Sequence, residues 1–118
     1  MPSEPDAVRR WLSDIRHHMA MAEGFVAGIT YENVKDEALH LYAVTRCLEI
    51  ISEASRRLPQ SLNDRHPTIA WRAMATAGNV YRHEDEDVAA REVWDTLTYH
   101  FPPLRTVVDA ELAALDCQ

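Results

Sequence analysis

A chain of 118 residues with 47% hydrophobic content, three glycines and a formal net charge of −7 can bury a core without disulfide or metal staples. That acidity argues against coating nucleic acid by bulk electrostatics, though not against a small basic site inside an acidic shell. The scarcity of glycine favours a helix-rich fold over an all-β one. Lys35 is the only lysine among the twelve basic residues, so positive charge is supplied almost wholly as planar guanidinium.

Ser3-Glu4-Pro5-Asp6 reads as a helix start, with a capping hydroxyl, proline in the first turn and acids near the positive end of the dipole. Val8, Trp11, Leu12, Ile15, Met19, Ala22 and Val26 mark the buried face of a first helix that is expected to end near Gly28. His17 and His18 fall on or beside the polar face, and no further ligands stand at metal-binding spacing. Thr30 to Asn33 reads as a short turn or a helical cap.

From about Lys35 to Leu58 runs the longest periodic segment. Leu41, Val44, Leu48, Ile51 and Ser55 form one stripe, widened by Ala38, Cys47 and Ile50. Arg46, Glu49 and Glu53 make a polar row whose simplest reading is a set of intrahelical ion pairs, worth a few tenths of a kcal/mol each. Pro59 closes this helix, and Gln60 to Pro67 is a polar connector with room for one helical turn.

A helix from about Ala70 to His83 follows, with Ala70, Ala73, Met74, Ala77 and Tyr81 as its expected buried stripe. Arg72, Thr76, Asn79 and His83 share another face, and Arg82 lies three residues beyond Asn79. Asn79, Arg82 and His83 therefore gather an amide, a guanidinium and an imidazole at one helix end, the best candidate for chemistry in the chain. Gly78 within it costs about 1 kcal/mol relative to Ala if truly helical, or loosens the helix just before the patch. Glu84 to Asp87 reads as a solvated acidic run. His83 and its acidic neighbours make a poor metal site, because adjacent ligands on one short segment rarely close a coordination shell.

Val88, Ala89, Val93, Trp94 and Leu97 give a fourth helix. Pro102-Pro103 is expected to break the chain, and Leu104, Val107, Val108, Leu112 and Leu115 give a fifth. The expected fold is all-α, an up-and-down bundle of four to five antiparallel helices in one domain over 1–118. Cys47 and Cys117 are too few for a disulfide framework or a zinc site. No signal peptide or long apolar run is evident, which places the protein in the cytoplasm, away from membranes.

Several local signatures now coincide. Leu48-Glu49-Ile50-Ile51-Ser52-Glu53-Ala54 resembles the Leu-Glu-Ile-Ile-Gly-Glu-Ala stretch of the HepT-like proteins of the HEPN superfamily. Pro67-Thr68-Ile69-Ala70-Trp71-Arg72 resembles that family's Pro-x-Ile-x-Trp-Arg segment, and Asn79 to His83 overlays its Arg-Asn-x-x-x-His core. Val93-Trp94 and Phe101-Pro102-Pro103-Leu104 resemble the Val-Trp and Leu-Pro-x-Leu endings. The likeness runs in order from about Asp14 to Leu104.

The resemblance implies a homodimer with a cleft at its two-fold axis. In the family that cleft holds a metal-independent endoribonuclease, the toxin of a bacterial toxin–antitoxin pair that needs no cofactor. The antitoxin partner is a minimal nucleotidyltransferase, which in some pairs attaches AMP to a tyrosine two residues after the motif histidine. Asn79 and His83 carry over from the motif. Two positions depart from it: the family arginine falls at Gly78 and the modifiable tyrosine at Asp85. Arg82 is the nearby replacement for the arginine, with no modification expected at Asp85.

In such a site His83 serves as base or acid toward a ribose 2′-hydroxyl and the 5′-oxygen. Arg82 stabilises charge on the phosphate, and Asn79 orients histidine or phosphate. Arg46, Glu53 and Arg72 are expected around the RNA cleft, Arg46 partly covering for the missing arginine. The alternative is a catalytically silent dimer that binds the nucleotidyltransferase.

Overall fold

The computed structural model describes residues 4–82 and 86–117, and of 80–82 and 86 the backbone alone. Helix α1, Glu4–Phe25, carries Glu4 and Asp6 in its first turn, where acids complement the helix dipole; Ser3, its expected cap, lies outside the described residues. The chain then turns at Gly28, whose φ of 73° suits a residue without Cβ. The helix thus stops three residues before that glycine.

Thr30 caps a short helix α2, Tyr31–Asp36, by accepting the Asn33 N–H at 3.3 Å. Glu37 interrupts the periodic segment in extended conformation, so the long central helix α3 spans Ala38–Arg57. Leu58 and Pro59 are extended, and the connector holds one short helix, α4, Gln60–Arg65.

The architecture is an all-α bundle, with no strand among the described residues. Its most extensive pairing is α1 on α3. Leu12, Ile15 and Met19 from α1 meet Val44, Leu48 and Ile51 from α3, all six fully buried. The last helix, α7, Phe101–Asp116, closes the other side of α1 with Phe101, Leu104 and Val108. Ion pairs Arg9–Asp116, Arg16–Asp109 and Glu23–Arg105 advance along α1 while retreating along α7, so these helices run antiparallel. Exposed as they are, such pairs set register more than stability.

Pro102 and Pro103 do not break the chain. Helix α6, Glu86–Asp95, passes through a π-helical turn, Thr96–His100, straight into α7. The Phe101 N–H bonds the Thr96 carbonyl five residues back, the widened spacing of a π turn. The two prolines then occupy the first turn of α7, where a helix leaves N–H groups unpaired anyway. No helix among the described residues is long and apolar enough to cross a membrane. Cys47 is buried, and burial pushes its thiol pKa up, which keeps it an unreactive packing group.

The segment expected as one helix divides in two. Helix α5, Trp71–Thr76, gives way to a 3₁₀ helix, Ala77–Arg82. An unbroken α-helix would bond the Gly78 N–H to the Met74 carbonyl four residues back. Ser52 on α3 stands between them instead. Its Oγ donates to the Met74 carbonyl at 2.9 Å and accepts the Gly78 N–H at 2.8 Å. One turn further along α3, Arg56 Nη1 donates to the Ala75 carbonyl at 2.6 Å. Two α3 side chains thereby take up the carbonyls that end α5. The buried stripe narrows accordingly: Met74, Ala77 and Gly78 are buried, whereas Ala70 and Ala73 are exposed.

Two serines on α3 make a matched test. Ser52 is buried with both hydrogen-bonding roles filled, while the buried Ser55 hydroxyl has no hydrogen-bond partner. Ser52→Ala orphans the Gly78 N–H and is expected to cost about 1–3 kcal/mol. Ser55→Ala is expected to change stability by less than about 0.5 kcal/mol, or to raise it, in the same urea titration.

Glu111 of α7 clamps the end of α4, meeting Arg65 Nη2 at 2.6 Å and His66 Nε2 at 2.7 Å. The Arg65 hydrogen bond holds the Glu111 pKa below its ordinary 4.5, outweighing the opposite effect of burial. A depressed folded pKa gives stabilisation that is present above the unfolded value and lost as pH falls through the folded one. Glu111→Gln should therefore lower stability by about 1–2 kcal/mol at pH 7. The gap to wild type should close below about pH 4.5, as melting temperatures from pH 3 to 7 would show.

Candidate functional site

Gly78 sets the shape of the site. A Cβ at that position would lie 2.7 Å from the Glu49 Cα, closer than Cβ atoms come to backbone, and 3.1 Å from the Glu49 nitrogen, itself a tight contact. The 3₁₀ segment rests directly on the α3 main chain, and only glycine lets it do so. The arginine that the resemblance places here has no room on this backbone.

Beyond that contact the two elements part, leaving a cleft of about 310 Å³. Asn79 and Gly78 form one wall, and Arg46, Glu49, Glu53 and Arg56 of α3 form the other. Asn79 is exposed at the rim. Three sequence candidates, Asn79, Arg46 and Glu53, thus meet at one place. A second cleft of about 300 Å³ shares Arg46, Glu49 and Glu53 and adds Arg10, Asp14 and Arg57 from the α1 side. The two clefts are lined by four guanidiniums against three carboxylates. In a chain of net charge −7, this groove is a local relief from negative potential.

The polar row on α3 forms intrahelical ion pairs as its spacing suggested, though Glu53 pairs outside the row. Arg46 reaches Glu49 at 3.5 Å, but Glu53 turns toward the helix end, meeting Arg57 Nη2 at 2.7 Å and Arg56 Nη2 at 2.8 Å. Hydrogen bonds from Arg57 and then Arg56 hold the Glu53 pKa below the usual carboxylate range. Glu53 is therefore an ionised counter-charge, a weak proton acceptor suited to orienting arginines.

The remaining candidates lie elsewhere. Arg72 is exposed on α5 and does not line the cleft of Arg46 and Asn79. His83 lies outside the described residues, as do Glu84 and Asp85. Arg82 closes the 3₁₀ segment. At three residues per turn, position 82 falls in register with Asn79, whereas an α-helical turn would have aligned it more nearly with Gly78. Asp87 is placed near Lys35 of α2, with 3.7 Å between Nζ and Oδ2.

Sequence reasoning missed Ser52 and Arg56. Ser52 carried a signal: it stands where the likened stretch has glycine, just as Gly78 stands where the motif has arginine. The two departures are in contact, hydroxyl to amide. Arg56 gave no signal beyond its basic side chain near a helix end.

Comparison with known proteins shows the family. A family model described as ribonuclease HepT-like matches residues 15–111, from the middle of α1 into α7. The "Probable ribonuclease HepT" of Thermococcus cleftensis is 34% identical over 80% of this chain and 86% of its own. A provisionally named RNase of Methanocaldococcus jannaschii is 29% identical over 83% of this chain and 81% of its own. No solved structure matches significantly. With the matched span covering most of the chain, including α3 and the positions of Ser52, Gly78 and Asn79, the chain belongs to the ribonuclease HepT-like family.

Proposed function

We propose that the protein is a HEPN-type toxin: a metal-independent endoribonuclease that cleaves RNA by attack of a ribose 2′-hydroxyl on the adjacent phosphate. The observation that carries this reading is the cleft between α3 and the 3₁₀ segment. There Asn79 of the motif faces an arginine-bearing wall in an otherwise acidic chain. Membership of a family described as ribonuclease HepT-like supports the substrate class.

Metal-free cleavage at a 2′-hydroxyl requires a base, an acid and fixed positive charge. His83 follows Asn79 at the motif spacing, and an imidazole can both accept and donate a proton, so it takes the 2′-proton in one state and protonates the leaving 5′-oxygen in the other. A homodimer supplies both states at once by pairing two copies across the two-fold axis. Asn79 orients the phosphate, and Arg82, one 3₁₀ turn beyond it, adds charge from the same segment. The products are a 2′,3′-cyclic phosphate and a 5′-hydroxyl. A cytoplasmic nuclease of this kind needs an antagonist, and we assign that role to a nucleotidyltransferase antitoxin.

Gly78 favours one second reading. A site with no side chain at the motif's arginine position fits a silent dimer that binds its nucleotidyltransferase partner without cutting RNA.

Cleavage of end-labelled RNA by purified protein in EDTA separates the two. Nuclease activity is expected to leave 2′,3′-cyclic phosphate ends and to fall at least about 100-fold in His83→Ala. Wild type as inert as His83→Ala would leave the binding module.

A further inference from the structure

Gly78 removes a guanidinium from the motif, and the fold brings another to the same cleft. Arg56 lies one helical turn after Ser52 on α3 and lines the cleft together with Gly78 and Asn79. We propose that Arg56 is the phosphate-binding arginine of this site, delivered from α3 in place of the side chain that Gly78 lacks. The inference rests on the ribonuclease reading for its substrate and on the geometry of the cleft for its residue.

Three observations select Arg56 among the neighbouring cations. First, it is fixed: Nη1 bonds the Ala75 carbonyl at 2.6 Å and Nη2 bonds Glu53 at 2.8 Å. Those bonds use one N–H on each terminal nitrogen of a group that carries five N–H donors. A guanidinium held by two bonds has already lost the freedom that phosphate binding would otherwise take from it. Arg46, by contrast, leaves its side chain 70% exposed and reaches only Glu49, at 3.5 Å.

Second, its charge is incompletely neutralised. Glu53 divides one negative charge between Arg56 and Arg57, so the trio carries a net positive charge, with Arg56 and Glu53 lining this cleft and Arg57 the neighbouring one. Third, the Ala75 bond ties the guanidinium to the same backbone turn that leads into Gly78 and Asn79. Movement of the 3₁₀ segment and of the phosphate-binding group is then coupled, so the amide of Asn79 and the cation of Arg56 approach a phosphate in fixed relation. Arg72, exposed outside this cleft, has no such relation.

The test separates charge from structure by substitution at one position. Arg56→Gln removes the charge and keeps a polar side chain, and Arg56→Lys keeps the charge without the planar fork. Binding is read by fluorescence anisotropy with an uncleavable all-2′-deoxy oligonucleotide, and turnover with the matching RNA in EDTA. Arg56→Gln is expected to reduce the slope of log affinity against log salt by about 0.7, the loss of one phosphate contact on a single strand. It should also lower kcat/KM about 100-fold, with Arg56→Lys, at a similar melting temperature to Arg56→Gln, recovering binding better than kcat.

Wild-type affinity and salt slope in Arg56→Gln would overturn the proposal, whether or not the protein cleaves RNA. If wild type binds but does not cut, and Arg56→Gln still loses the slope, Arg56 stands as the phosphate contact while the nuclease reading falls.

Discussion

The site depends on one hydroxyl and one missing side chain. Ser52 Oγ occupies the gap between the Met74 carbonyl and the Gly78 amide, a pair that would otherwise bond each other in an α-helix. Gly78 in turn lies so close to the α3 main chain that a Cβ would meet the Glu49 Cα at 2.7 Å. Together these contacts end α5, tighten the chain into a 3₁₀ helix and fix where Asn79 emerges. The serine satisfies polar groups that burial would otherwise penalise, and the glycine permits the approach that brings the serine into range. Each needs the other.

This coupling changes the meaning of the two motif departures. Taken singly, glycine for arginine reads as loss of function, and serine for glycine reads as a neutral swap on an apolar stripe. In contact they describe one seating of the motif segment on α3, with the Gly78 backbone so close to Glu49 that a side chain has no room. The cleft keeps its cations because α3 itself carries them. Arg46 and Arg56 stand opposite Asn79, and Arg10 and Arg57 continue the line toward α1.

Much of the fold was legible from period alone. The stripes Val8-Leu12-Ile15-Met19 and Leu41-Val44-Leu48-Ile51 are buried as their spacing demands, because helices packed face to face need apolar residues at i, i+3 and i+4. What period could not convey was a hydrogen bond between distant segments. Nothing local in Trp71-Arg72-Ala73-Met74 announces that a serine 22 residues earlier enters the ladder after Met74. Pro102-Pro103 misled for a related reason: a proline pair stops a helix only if the chain behind it is already helical in the same register, and the π turn shifts that register. In the site, residue types and spacing singled out Asn79, and the family resemblance added Arg46 and Glu53; the three share a cleft. Arg56 stayed hidden because its role follows from where α5 ends.

The most direct measurement of this arrangement is amide hydrogen exchange at Gly78. If Ser52 holds that N–H in the buried seam between α3 and the 3₁₀ segment, the Gly78 amide should exchange only through global unfolding, as slowly as the Ile51 and Leu48 amides of the core. Exchange at the rate of an open loop, with Ile51 still protected, would mean that the segment is not seated on α3, and the cleft built on that contact would fall with it.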